Sequence, residues 1–177
     1  RAYATTDNVD DALAWVQAAH QDAWDRLTDQ HGAKAGERFL DSLCSNLDQF
    51  GTLHVLRHGF KIPGAGGAWF SMMQAMPRSA RNPDSMRLFQ ANALRVVRQV
   101  YYSANNKNSI DLVLFVNGIP VATLELKTES TQSVHAAIKQ YKKDRLPKDP
   151  GVNRLEPLLQ FKSRCVVHFA VSTEEVY

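Results

Sequence analysis

Apolar residues in the first fifty positions recur at helical spacing. One set predicts a helix over residues 8–30, and its members are Val9, Leu13, Val16 and Leu27, with Trp15 and Trp24 beside them. A second stripe from Phe39 to Phe50 predicts another helix over 34–50, which Gly51 would end. The first third of the chain is therefore expected to be mostly helical.

The second half of the chain shows the shorter period of β-strands. Strands are predicted at 93–102, 110–116 and 120–127, and the apolar run "RCVVHFAVST" predicts a fourth. A helix over about 132–145 separates the last two strands, so these two should pair in parallel. Before the first strand, "FKIPGAGGAWF" and "MPRSARNPDS" are rich in Gly and Pro and are expected to be loops.

These elements predict an α/β fold, a mixed β-sheet flanked by helices, in one domain over 1–177. Within it we expect a helical part over 1–60 and a core over about 92–172. The chain has 177 residues and is 44% hydrophobic, enough for one core. No apolar run approaches the roughly 18 residues that span a bilayer. The chain begins with Arg1 rather than Met, so a piece of a longer protein is expected.

The cysteines indicate a cellular compartment, and the distribution of charge indicates a class of partner. Cys44 and Cys165 form no CxxC pair, which predicts two buried thiols in a cytoplasmic protein. The net charge is only +3, but eight basic residues lie between Lys139 and Arg164. A second basic group extends from Arg78 to Arg98. Such clustering fits a polyanion partner, although two solvated faces would give the same pattern.

Three polar residues stand out in the stretch "SIDLVLFVNGIPVATLELKTES". Glu125 and Lys127 are two positions apart, so a strand projects them from one face. A three-residue loop over 117–119 would set Asp111 opposite Glu125, Val113 opposite Thr123 and Phe115 opposite Val121. A two-residue loop at Asn117-Gly118 would put the two carboxylates on opposite faces.

Two carboxylates on one face repel unless a cation lies between them. A hard ion such as Mg²⁺ takes oxygen ligands and keeps several waters, which leaves room for a phosphodiester and an attacking water. Lys127 would then position the water or stabilise developing charge. The alternative is a simple cross-strand ion pair at the end of a sheet.

The spacing of Asp111 and Glu-x-Lys at 125–127 resembles the PD-(D/E)xK nucleases. Together with "NALRVVRQVYY" before it and "AAIKQY" after it, the stretch resembles the N-terminal nuclease domain of type I restriction enzyme R subunits. The resemblance is specific over about 92–146. It implies a restriction-endonuclease-like sheet, with Asp111 and Glu125 as metal ligands and Lys127 as the catalytic lysine.

The helix after the Glu-x-Lys strand departs from the family pattern. The family often carries Gln-x-x-x-Tyr there; Gln140 fits the Gln and is expected in the active site, but Asp144 stands where the Tyr would be. Tyr141 belongs to the apolar stripe and is expected in the core. Ile110 also replaces the proline that often precedes the aspartate. An early helix often supplies a further acidic ligand, for which Glu37, Asp41 and Asp48 are all eligible.

The resemblance implies a Mg²⁺-dependent endonuclease that cuts DNA without reading bases. Its partners would be double-stranded DNA and the modification and specificity subunits of a restriction complex, with no membrane. ATP would serve a motor elsewhere in the full-length protein, because this chain has no Gly-Lys-Ser/Thr phosphate loop. DNA contacts are expected from Lys139, Lys142, Lys143 and Arg145. Two alternatives stay open: another PD-(D/E)xK nuclease of repair or mobile elements, and a non-catalytic DNA-binding or assembly module of the same fold.

Overall fold

A computed structural model describes residues 6–63, 66–79, 81–128 and 133–177 and has an α/β architecture. Its first part is helical, as predicted. The helices are α1 (Thr6–Ala19), α2 (Gln21–His31), α3 (Ala35–Phe50) and α4 (Thr52–His58), with a 3-10 turn at Gly32–Lys34. None of the helices in the described ranges is long and apolar enough to cross a membrane.

The helix predicted over 8–30 is broken at His20. This residue leaves helical geometry, with φ −140° and ψ 47°. Its ring bonds to Ser71 instead: Nε2 accepts the Ser71 N–H at 2.9 Å and lies 2.8 Å from Ser71 Oγ. The indole of Trp15 donates to the Ser71 carbonyl at 2.8 Å. A contact 51 residues away therefore divides the predicted helix into α1 and α2.

The predicted helix over 34–50 is confirmed as α3, and Phe39, Leu43 and Leu47 on its apolar face are buried, whereas Phe50 at its end is exposed. Gly51 ends it, with φ 87°, a conformation that costs glycine little. The chain then enters α4 directly. Cys44 on α3 is half-buried, which corrects the expectation of two buried thiols; Cys165 is buried, and both cysteines are free.

Two predicted loop regions contain regular structure. Strands β1 (Phe60–Lys61) and β2 (Trp69–Phe70) form a short antiparallel pair, and α5 (Pro83–Gln90) follows. The Asn82 side chain accepts the N–H groups of Asp84 and Ser85, and Pro83 occupies the first turn. An N-cap asparagine followed by proline is a recognised helix start, so the sequence did carry the signal for α5.

The main sheet has four strands in the order β3-β4-β5-β8. They are β3 (Leu94–Tyr101), β4 (Ser109–Val116), β5 (Ile119–Leu126) and β8 (Val167–Val171). The first three are antiparallel neighbours, and β5 pairs with β8 in parallel, as predicted. Helix α6 (Val134–Lys143) connects the parallel pair and packs on both strands, while β6 (Lys148–Asp149) and β7 (Arg154–Leu155) form a small separate hairpin.

The hairpin between β4 and β5 corrects the predicted loop. Its turn has two residues, Asn117 and Gly118, both with positive φ, as a type I′ turn requires. Near the turn Phe115 therefore pairs with Pro120, not with Val121. A β-bulge at this point shifts the register by one residue, so Val113 pairs with Thr123 as predicted. Proline donates no ladder hydrogen bond, which suits it to such an irregularity.

The tip of this hairpin is buried against the helical part. The Asn117 side chain accepts the Ala93 N–H at 2.7 Å and donates to the Met72 carbonyl at 2.9 Å. A Cβ on Gly118 would overlap the carbonyl oxygen of Asn8 in α1. Ile119 belongs to the same buried cluster as the apolar residues of α1 to α4. Helices and sheet are thus joined at the turn.

Candidate active site

The two predicted carboxylates lie level with each other on β4 and β5. Because Leu112 pairs with Leu124, the antiparallel register puts Asp111 opposite Glu125. Asp111 Oδ2 accepts the Leu126 N–H at 2.8 Å, and Oδ1 accepts a hydrogen bond from Gln99 Nε2 at 3.1 Å. Gln99 has φ 51°, which is uncommon for a residue with a side chain. The two-residue turn with its bulge thus sets Asp111 opposite Glu125, as the three-residue loop was expected to do.

Glu125 is a buried acid, with 1% of its surface exposed. Burial raises its pKa above the ordinary value, and the negative charge of Asp111 raises it further. The guanidinium of Arg145 and the ammonium of Lys127 oppose that change. The repulsion from Asp111 means that the two carboxylates lie close enough to interact, and the charges of Arg145 and Lys127 offset theirs.

Arg145 is the main addition that the structure makes to the site. Its Nε donates to Glu125 Oε1 at 2.9 Å, and the two side chains are only 11% and 2% exposed. The guanidinium also lies 5.8 Å from the ring centroid of Tyr102. The sequence suggested only a DNA contact for Arg145, and that role stays a prediction. Its position just after α6, close in sequence to Gln140, was the available signal for a place in the site.

Lys127 follows the last residue of β5 and is half-buried. Its backbone N–H donates to the Val171 carbonyl at 2.8 Å, which continues the parallel pairing with β8 by one step. Its charge lowers the pKa of Glu125. Lys127 therefore lies within electrostatic reach of the Glu125 carboxylate, and its catalytic role stays a prediction.

Helix α6 carries Gln140 and Tyr141 into the layer behind the sheet. Gln140 Oε1 is buried and has no hydrogen-bond partner among the described residues. Such an acceptor is costly unless a ligand or water satisfies it. The Tyr141 hydroxyl lies 2.8 Å from Thr123 Oγ1, which is also 2.7 Å from His168 Nδ1. Tyr141 packs against a buried cluster, so its predicted place in the core is confirmed.

The three lysines predicted to contact DNA are exposed on α6: Lys139, Lys142 and Lys143. The eligible acids of the early helix, Glu37, Asp41 and Asp48, are exposed too. Asp48 accepts a hydrogen bond from Arg164 Nη1 at 2.6 Å. Within the described ranges no three His, Cys, Asp or Glu side chains gather as a metal cluster, so none of these acids joins Asp111 and Glu125.

The donor set fits a hard divalent cation. Mg²⁺ is commonly held by one or two carboxylates, with waters completing its shell. Asp111 and Glu125 supply two carboxylates whose repulsion a cation would relieve. A soft metal would have no thiolate here, because Cys165 lies in a buried apolar cluster.

The fold and the site define a class: an α/β sheet that presents an acid from each of two adjacent strands and a lysine just beyond one of them. Comparison with protein families narrows this class. The family described as "Type I restriction enzyme R protein N terminus" matches residues 81–177. The chain belongs to this family, which ties it to a restriction complex acting on DNA. The comparisons with curated proteins and with solved structures found no match.

Proposed function

We propose that this chain is the Mg²⁺-dependent endonuclease domain of a type I restriction enzyme R subunit. It hydrolyses DNA phosphodiester bonds and has no base specificity of its own. One observation carries the proposal: Asp111 and Glu125 face each other across β4 and β5, with Lys127 one residue beyond the end of β5. A packing strand gains nothing from two repelling acids, whereas a hard metal ion that promotes phosphodiester hydrolysis is commonly held by one or two carboxylates.

In this proposal each polar residue has a separate task. Asp111 and Glu125 bind the metal, which when present polarises the phosphate and lowers the pKa of a bound water. Hydrogen bonds from Gln99 and Leu126 fix the orientation of Asp111. Arg145 orients Glu125 and opposes the rise in its pKa that burial causes. Lys127 orients the attacking water or stabilises the charge that develops on the phosphate.

The exposed lysines of α6, with Lys148 beyond the helix end, would hold the DNA backbone, whereas the Arg145 side chain is turned inward to Glu125. Lysines contact phosphates as point charges and read little sequence. The proposed partners are double-stranded DNA and the modification and specificity subunits, in a cytoplasmic complex. The ATP-driven motor belongs to the full-length protein.

The test is cleavage by the assembled complex, with Mg²⁺ and ATP and with supercoiled plasmid as substrate. Asp111→Asn, Glu125→Gln and Lys127→Met should each reduce the rate of cleavage by about 100-fold or more, the scale of losing one transition-state contact. ATP hydrolysis should persist. Asp29→Asn is the matched control, because Asp29 is an exposed acid on α2.

Normal cleavage by Glu125→Gln would remove Glu125 from the proposed mechanism. Failure of the unmodified complex to cut in Mg²⁺ or Mn²⁺, with ATP hydrolysis and DNA binding intact, would instead favour the non-catalytic DNA-binding or assembly module.

A further inference from the structure

Far from the carboxylates, a surface groove of about 420 Å³ lies along α4. We call it the α4 groove. Its lining combines aromatic and basic side chains with two exposed aliphatic ones, Leu53 and Val166, and no acid is among the residues that the structure describes there. The residues used below are Phe50, His54, Arg57, His58, Phe161 and Lys162. Positive charge without compensating acids favours a polyanionic ligand.

The aromatic rings of the groove are open to solvent. Phe161 is 83% exposed and Phe50 is 47% exposed, both unusual for phenylalanine. Phe50 stacks on His54 with ring centroids 5.1 Å apart, and His54 lies 4.8 Å from His58. The Lys162 ammonium is 5.8 Å from the Phe161 ring centroid. Cations therefore lie directly beside flat apolar faces.

The backbone that carries Phe161 and Lys162 is held in place. Lys162 has φ 72°, and its carbonyl accepts the Thr52 N–H at 2.8 Å. The Thr52 hydroxyl donates to the next carbonyl, that of Ser163, at 3.3 Å. A Cβ on Gly51 would lie 2.9 Å from the Lys162 carbonyl oxygen, so the chain fits only against glycine. The start of α4 thus fixes the segment that presents Phe161.

The groove and the candidate active site lie at opposite ends of the same strand pair. The Val166 N–H donates to the Val121 carbonyl beside the groove, whereas the Lys127 N–H donates to the Val171 carbonyl at the catalytic end. Five residues of strand separate these ends, roughly 17 Å. The α4 groove is therefore a separate site.

We propose that the α4 groove binds single-stranded nucleic acid. Bases stack on Phe161 and Phe50, and backbone phosphates lie against Arg57 and Lys162. Stacking platforms beside basic side chains are the general means of holding unpaired strands. In a duplex the base faces are stacked on one another, so a duplex could not stack on the exposed rings of Phe161 and Phe50. This inference goes beyond the proposed nuclease activity and does not rest on it.

The experiment is fluorescence anisotropy of the full chain in EDTA, where no cleavage occurs. The probes are labelled oligothymidylate and oligouridylate of about twelve nucleotides and a duplex of the same length. The oligothymidylate should bind more tightly than the duplex, and the oligouridylate arm decides between DNA and RNA. Phe161→Ala should weaken oligothymidylate binding about 10-fold, and Phe161→Trp should retain it. Replacing Arg57 and Lys162 together by Ala should reduce the salt slope of log affinity by about 1.4.

Two controls separate this site from the nuclease site. Met76→Ala removes another exposed apolar side chain, 71% exposed, and should leave binding unchanged. Glu125→Gln should also bind as the unmodified chain does, while plasmid cleavage is lost. The proposal is overturned if no oligonucleotide binds, if Phe161→Ala binds as tightly as the unmodified chain, or if the lysines of α6 account for all binding. A Phe161-dependent self-association without nucleic-acid binding would make the groove a protein contact and would equally overturn it.

Discussion

Replacing Arg145 by methionine should destabilise the chain far more than the same substitution at Arg95. Both arginines pair with an acid through Nε, Arg145 with Glu125 at 2.9 Å and Arg95 with Asp11 at 2.7 Å. The pairs differ in burial. The side chains of Arg145 and Glu125 are 11% and 2% exposed, whereas Arg95 is 39% exposed. Among the described residues, Arg95 makes more ion-pair contacts than Arg145, since it also donates through Nη2 to Asp11 and pairs with Asp7, so a smaller loss at Arg95 would point to desolvation as the cause.

The magnitude follows from what each substitution leaves behind. Without Arg145, the Glu125 carboxylate stays in a site that excludes water and loses its main counter-charge. Breaking a buried pair from one side typically costs about 3–5 kcal/mol. Asp11 keeps more contact with solvent when Arg95 is removed, so that loss should be about 1 kcal/mol or less. Methionine retains most of the apolar stem in both cases.

The assay is urea unfolding at neutral pH in EDTA, followed by circular dichroism, with equal denaturant slopes as the check that only stability changed. The double variant Glu125→Gln/Arg145→Met should recover most of the loss, because it leaves no unpaired charge. A loss below about 1 kcal/mol for Arg145→Met, equal to that of Arg95→Met, would refute the argument that the pair is desolvated.

Two further predictions concern DNA affinity and pH. Replacing the three exposed lysines of α6 (Lys139, Lys142, Lys143) by Ala should reduce the slope of log duplex affinity against log salt by about 2–3. The control replaces three basic residues of the helical part, Arg26, Lys34 and Arg38, by Ala. An unchanged slope in the α6 variant would indicate that its lysines form only a solvated face. Burial lowers the pKa of His20 below its ordinary 6.5. As pH falls through 6.5 the unfolded chain protonates this histidine first, so His20 should lower stability by at most about 1.4 kcal/mol per pH unit. Burial also lowers the pKa of His168, which adds its own decline in the same pH range. His20→Gln should flatten the combined decline in unfolding experiments at several pH values, and an unchanged decline would contradict the assignment.

Several of the elements whose signal lies in neighbouring residues were predicted correctly from the sequence. The helix at α3 and the strands β3 to β5 follow from apolar periodicity, and the parallel strand β8 follows from a continuous apolar run. The facing of Asp111 and Glu125 depended on the choice of a three-residue loop over a two-residue loop. The detail of that turn did not follow, because two different hairpins give the same facing. A three-residue loop and a two-residue turn with a bulge near Pro120 both set Asp111 opposite Glu125.

Distant contacts determined what the sequence could not show. The break at His20 depends on Ser71, and the burial of Arg145 depends on Glu125, twenty residues earlier. In the sequence, Arg145 is one base in a basic run, with nothing to distinguish it from the lysines before it. Only the packing of α6 on the sheet separates the exposed lysines from the arginine that turns inward.

The helical part over 1–60, which lies outside the family match, affects how the candidate site is positioned. Its described residues bring no acid into a metal cluster, but α1 packs against the turn at Gly118 from which β4 and β5 extend. Asp111 lies six residues from that turn, roughly 20 Å along the strand. The Arg95–Asp11 pair adds a second tie between α1 and β3, the neighbour of β4. Because one end of the hairpin is fixed in a packed core, the register at its other end is fixed too. The carboxylates are thus positioned by residues that never contact them.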